Sequence, residues 1–163
     1  MPEPLIRPAS RADAAGILAI TRELIADGGV YPHTAGMGDE ELLEFWYTPK
    51  GQLYVAELED RLAGVYLLKP NQPGRGAHVA NGAYAVAEWA RGRGLGEALG
   101  RHSIEEARRL GYKAMQFNLV VVTNESAVAL WTKLGFQTLC RLPKVFDHAQ
   151  LGLVDTYVMH RLL

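Results

Sequence analysis

The sequence predicts an α/β fold built on a mixed sheet. Three observations lead there. Between residues 78 and 142 the hydrophobic pattern alternates strand, helix, strand, helix, strand, and a helix that joins two strands of one sheet is a crossover that makes them parallel. Residues 53–58 and 62–68 read as two strands flanking Glu59-Asp60-Arg61, a hairpin, so part of the sheet is antiparallel. The chain has 163 residues, 48% of them hydrophobic and 21% charged, with no repeat and no long linker, which suits one core; residues 1–163 are expected to form a single domain.

Each element has a local reason. Leu5-Ile6-Arg7 is a short first strand. Ser10 is a fair N-cap for a helix through about Ala26, whose Ile17, Ile20 and Leu24 share one face, and Asp27-Gly28-Gly29 ends it. Residues 31–38 are rich in glycine, proline and histidine without a period; Asp39 then caps a short amphipathic segment through Leu42, Leu43, Phe45 and Trp46, a candidate lid. After the hairpin, residues 70–76 form a loop and His78 to Val86 a strand. Leu95, Leu99, Ser103, Ala107 and Leu110 fall on one helical stripe that Gly111 closes. Lys113 to Val122 is a strand parallel to the one before it. Ala127, Leu130, Trp131 and Leu134 make the apolar face of a helix that Asn124 caps and Gly135 ends. Strands at 136–142 and 153–162 close the chain, joined by a loop carrying Phe146 and His148.

Charge and composition narrow the partners. Lys plus Arg number 17 against 18 for Asp plus Glu, a net charge of -1, so no global positive field draws nucleic acid or an anionic membrane. The apolar runs fall far short of the ~20 residues that span a bilayer, and the start Met1-Pro2-Glu3-Pro4 does not read as a signal peptide, so the cytoplasm is the expected address. Cys140 is the single cysteine and the five histidines lack metal-ligand spacing, so no metal is expected.

The most informative segment is Arg91-Gly92-Arg93-Gly94-Leu95-Gly96, between a strand and a helix. A glycine inside an element costs ~0.5–1 kcal/mol relative to alanine, and each arginine beside the positive end of a helix dipole costs ~0.3–1 kcal/mol. A bound polyanion reverses both terms: bare backbone lets phosphate oxygens approach the N–H groups, and the arginines add charge-assisted bonds. A phosphate or pyrophosphate loop follows. It is not a Walker A loop, which needs Lys-Ser or Lys-Thr after its last glycine, nor a dinucleotide fingerprint, whose third glycine falls on Glu97 or Leu99.

Arg91-x-x-Gly94-x-Gly96 after a strand ending at Val86 resembles the acyl-CoA pyrophosphate loop of the GCN5-related N-acetyltransferases (GNATs). Asn124-x-x-Ala127-x-x-Leu130-Trp131-x-Lys133-Leu134-Gly135-Phe136 resembles the same family's later helix and strand. The resemblance implies a mostly antiparallel mixed sheet with a central, splayed parallel pair and flanking helices, and acetyl-CoA as cofactor. It also implies roles: the backbone at Ala85 and Val86 for the pantetheine arm, with the Val86 N–H aimed at the thioester carbonyl; the N–H groups of Arg91, Gly92, Arg93, Gly94, Leu95 and Gly96 for the pyrophosphate; and Asn124, Ala127 and Trp131 for the far side of the coenzyme. Trp131 stands where the family often has a tyrosine acid, and an indole N–H is not a useful acid. A thiolate leaves tolerably without one, its conjugate acid having a pKa near ~8.5.

Asn81 and Asn118 lie inside predicted strands, where asparagine is depleted. Either they satisfy irregular backbone or each other, or they stand where the parallel strands part and serve the substrate and the acetyl group. The runs His78 to Tyr84 and Met115 to Asn124 are similar to those of the azetidine-2-carboxylate N-acetyltransferases of fungi and their bacterial relatives, which implies substrate and reacting-centre roles for Asn81 and Asn118 and a small amine, an amino acid or cyclic imino acid, as acceptor. His78, Tyr84, His148, and Asn118 through water, are the candidate bases; His78, Tyr84, Phe146 and His148 join Asn81 as candidate substrate contacts, and Tyr31, Phe45, Trp46 and Tyr66 are a candidate aromatic wall. An acyl-CoA sensor without turnover and a protein N-acetyltransferase are the rival readings. By analogy with the family, a homodimer is expected.

Overall fold

The computed structural model describes residues 3–163. Its strands are β1 (Leu5–Pro8), β2 (Gln52–Leu58), β3 (Arg61–Pro70), β4 (Val79–Val86), β5 (Ala114–Val121), β6 (Gln137–His148) and β7 (Gly152–Leu162); its helices are α1 (Ala14–Asp27), α2 (Asp39–Trp46), α3 (Leu95–Arg109) and α4 (Glu125–Lys133). The strands form one seven-stranded sheet in the order β1-β2-β3-β4-β5-β7-β6. Every neighbouring pair is antiparallel except β4 and β5, the parallel pair expected from the α3 crossover. Glu59 and Asp60 turn the β2–β3 hairpin with φ of 54° and 57°, the left-handed pair that a tight hairpin needs.

The two faces of the sheet have different work. Tyr54, Tyr66 and Tyr84 stand opposite one another on β2, β3 and β4 and stack as a ladder, with ring centroids 4.8 and 5.7 Å apart. Their hydroxyls all meet α3, at Glu106 (2.7 Å), His102 Nδ1 (2.7 Å) and Ser103 (2.8 Å). Tyr66 therefore belongs to the core beneath α3, not to an aromatic wall around a substrate. The other face carries α1 and α2. Trp46 is buried and donates its indole N–H to Thr21 Oγ1 at 2.9 Å, and Leu42 is fully buried, so the expected lid is a docked helix and a fixed wall.

Residues at the N-terminal end are tied by charge. Ser10 caps a short 3-10 turn, Arg11–Asp13, that leads into α1, and Asp13 accepts from the Ser10 N–H at 2.7 Å and from the Arg7 guanidinium at 2.8 and 3.0 Å. The Arg7 guanidinium holds the Asp13 carboxyl down to about 2. A depressed folded-state pKa gives stability that is present above the unfolded value and lost as pH falls through about 2. Asp13→Asn is thus expected to cost about 1–2 kcal/mol at pH 7 and to flatten the loss of Tm between pH 4 and 2, as read by thermal melts.

The last hairpin differs from expectation. β6 continues through Phe146 and His148, which lie on a strand and not in a loop. Pro143-Lys144 reads as a strand end, but Lys144 takes a left-handed turn (φ 53°) and its N–H donates to Asp155 at 2.9 Å, so the ladder resumes after a bulge. Among the described residues no helix is long and apolar enough to cross a membrane.

Candidate active site

β4 and β5 pair only at Val79↔Ala114 and Ala80↔Met115, then diverge. The gap opens a cleft of about 690 Å³. Rings cluster beside it: Trp131 of α4 lies 4.7 Å from Tyr84 of β4 and 4.6 Å from Phe117 of β5, centroid to centroid. Trp131→Phe is expected to lower stability by about 1–2 kcal/mol while holding kcat within about threefold, since the indole is packing and not acid; melting curves and initial rates check both.

Backbone polar groups face the gap because β4 has lost a neighbour there. Ala87 donates its N–H to Ala63 of β3 at 2.8 Å, and peptide groups alternate sides along a strand, so the N–H groups of Val86 and Tyr84 turn toward the cleft. On that side the Tyr84 carbonyl accepts the Tyr31 hydroxyl at 2.9 Å.

Beyond β4 the chain reaches the glycine-arginine turn. Gly92 and Gly94 are left-handed, with φ of 73° and 78°, and a Cβ on either would meet nothing within 4 Å. Glycine is required here by backbone conformation, and the space beside it is open. Gly94 is the N-cap of α3, without a side-chain cap, and the first helical bond runs from Ala98 N–H to Gly94 at 3.1 Å. The N–H groups of Leu95, Gly96 and Glu97 therefore have no helical acceptor and stand at the positive end of a 15-residue helix, a setting that suits an anion. Of the turn's three glycines only Gly96 lies inside the helix, so one glycine adds its cost to the first turn.

The arginines divide. Arg91 lines the cleft, with its guanidinium 3.8 Å from Asp27, but its N–H is spent on the Glu88 carbonyl at 3.2 Å and is not part of an amide cradle. The Arg93 side chain pairs with Glu59 and does not line the cleft. Across the gap Asn124 caps α4, accepting from Ala127 N–H at 3.3 Å and Ser126 Oγ at 3.1 Å, while Ala127, Leu130 and Trp131 line the cleft.

The opposite end is lined by amides and rings. Asn81 is the first β4 residue past the last strand pair. Asn118 donates to Asn71 Oδ1 at 2.7 Å and accepts from Gln116 Nε2 at 3.0 Å, in a stretch of β5 that has slipped out of register with β7. Tyr31, Phe45 and Lys69 complete this end. Burial pushes the Tyr31 hydroxyl well above the ordinary tyrosine range, so it remains a proton donor.

A model of the acetyltransferase (GNAT) family matches residues 18–136. The chain belongs to this family. The family is one of acetyltransferases. The GCN5-related N-acetyltransferase of Kribbella flavida is similar over 98% of both chains, at 40% identity and a TM-score of 0.93. The N-acetyltransferase aca1 of Schizosaccharomyces pombe is 37% identical over 101 residues, which are 60% of this chain and 47% of that protein. The chain thus matches less than half the length of this curated relative. The yncA acetyltransferase of Salmonella typhimurium, solved with acetyl-CoA, shares the fold at a TM-score of 0.86 and 22% identity, over 99% of this chain and 95% of that one.

Not every expected GNAT site residue reaches the cleft. His78 is exposed and precedes β4, and Phe146 is buried away from the cleft. His148 caps the β6–β7 turn, accepting from the N–H groups of Gln150 and Leu151 at 3.1 and 3.3 Å. Tyr84 lines the cleft with its ring, but its hydroxyl is held by Ser103 and burial pushes it up, so it is no base. Trp46 is core. Two residues were not anticipated. Lys69 enters because β3–β4 register sets it opposite Asn81, and His33 packs against the rings of Tyr31 and Phe45, its pKa lowered by burial. Only the hairpin register carried a signal for Lys69; nothing local marked His33.

Proposed function

We propose that the chain moves the acetyl group of acetyl-CoA onto the amine of a small molecule, an amino acid or cyclic imino acid, by direct attack of the amine on the thioester. One observation carries this reading: the unpartnered α3 amides, the turned-out Val86 N–H and the Asn81–Asn118 end all line one cleft. The coenzyme fits these groups: open left-handed glycines admit a diphosphate, and the bare edge of β4 suits an extended amide-bearing arm.

Acetyl-CoA, when bound, supplies an activated acyl group with a thiolate leaving group. The protein supplies position and polarity. The Val86 N–H stabilises negative charge gained by the thioester carbonyl oxygen, and Asn118, fixed by Asn71 and Gln116, orients the reacting centre beside it. Asn81 contacts the acceptor. A free amino acid arrives protonated, and with His78 and His148 outside the cleft its proton leaves to water along the amide-lined end. The acceptor class is supported by the placement of Asn81 and Asn118 at the point where the strands part, and N-acetyl transfer by the similarity to aca1 in the half of that protein that matches. Pairing of two copies is supported by β6, an edge strand with Leu139, Leu142 and Val145 exposed.

Thiol release from acetyl-CoA, measured across amino acids, cyclic imino acids, polyamines and short peptides, tests the reading. Release with an amino or imino acid is the expected result. Coenzyme binding with a flat panel would mean a sensor, and release with peptides alone would mean a protein N-acetyltransferase.

A further inference from the structure

We propose that Lys69 determines acceptor specificity: its ammonium holds a carboxylate on the acceptor, restricting turnover to amines that carry an acid group close to the nitrogen. The inference rests on the acetyl-transfer reading above and adds to it the chemistry of the acceptor's second group.

Lys69 stands directly opposite Asn81 in the β3–β4 register. Opposed residues of antiparallel neighbours project from the same face, so the two side chains share the cleft-facing side, and both line the cleft. The charge there is uncompensated. Arg7, Arg22, Arg93, Arg101, Arg141 and Lys133 each have a carboxylate partner within hydrogen-bonding reach, whereas Lys69 has none among the described residues. Its ammonium lies over the ring of Phe45, with Nζ 5.6 Å from the centroid, and the side chain is half-buried. A ring face attracts a cation without supplying an anion to pair with it, and in a partly dry cleft an arriving anion gains more than it would in water.

The surroundings select the anion. Phe45 lies against this ammonium, Asn81 is its partner across the strand pair and Tyr31 lines the same cleft, a set that suits a flat carboxylate on a short apolar frame: one oxygen to Lys69, the other to an amide N–H. Asn118, which orients the reacting centre, belongs to the same end of the cleft, so the carboxylate and the attacking nitrogen must be near each other on the molecule. A polyamine would set a second ammonium against Lys69, and a peptide N-terminus would offer a neutral amide where the carboxylate belongs. Both are disfavoured by the same charge.

The test uses matched acceptors: one amino or imino acid, its carboxamide, its methyl ester and a diamine, each with the full chain at saturating acetyl-CoA. The wild-type protein is expected to favour the acid over the carboxamide by about 10- to 100-fold in kcat/KM, the span of one charge-assisted contact. Lys69→Met should collapse that ratio to near one, Lys69→Arg should restore part of it, and acetyl-CoA affinity by calorimetry should be the same for all three proteins. A wild-type ratio near one, an equal fall for acid and carboxamide in Lys69→Met, or weakened acetyl-CoA binding in that variant would each overturn the role. Thiol release that ignores the carboxylate sinks this inference alone, whereas thiol release with no amine at all sinks the proposed function and the inference with it.

Discussion

Gly94→Glu is expected to weaken acetyl-CoA binding by about 100-fold or more, because it puts a carboxylate where a diphosphate has to sit. Two costs add at this position. The backbone is left-handed (φ 78°), which an L-residue adopts at a cost of ~1–2 kcal/mol, and the new side chain points into open space beside three amides without acceptors. A glutamate there caps α3 with its own charge and repels phosphate oxygens. Gly94→Ala separates the two effects, since it carries the backbone cost without the anion. Calorimetry with acetyl-CoA should find the alanine variant much closer to wild type than the glutamate variant. Equal affinity in Gly94→Glu and wild type would remove the turn from the coenzyme site.

Asn118→Ala is expected to lower kcat by about 100-fold and to shift the Kd for acetyl-CoA by no more than about threefold. Asn118 is the middle member of an amide chain from Gln116 to Asn71, on a part of β5 freed from β7 pairing. Alanine leaves Gln116 and Asn71 without their shared partner at the end of the cleft remote from the glycine turn. The loss therefore falls on the geometry of attack, worth ~2.7 kcal/mol for a hundredfold change, and not on the diphosphate. A parallel fall in kcat and coenzyme affinity would place Asn118 in donor binding instead.

Much of this architecture was legible in the sequence, for reasons that differ by element. The parallel pair followed from the crossover helix, and the glycine turn from a composition that is unfavourable unless something anionic arrives. The anion-site residues were visible because they are consecutive in the chain, so no long-range pairing had to be known. Lys69 was not visible, because its meaning depends on a register that sets it across from Asn81. His78 misled because alternation placed it on a strand that in fact starts at Val79. His148 and Phe146 misled because Pro143 hides a continuing strand, whose ladder resumes only through the Lys144 bulge and its bond to Asp155. Tyr66 looked like a wall residue and proved to be a rung of a ladder whose hydroxyls all serve α3.

The parting of β4 from β5 has an evolutionary corollary. With its peptide groups released from β5 beyond Ala80, β4 can treat a visiting chain as a surrogate strand. Recognition written in main-chain amides is indifferent to which side chains decorate them. A change at Asn81, whose side chain lies outside the core, would then leave those main-chain groups as they are, provided that no proline replaces a donating N–H.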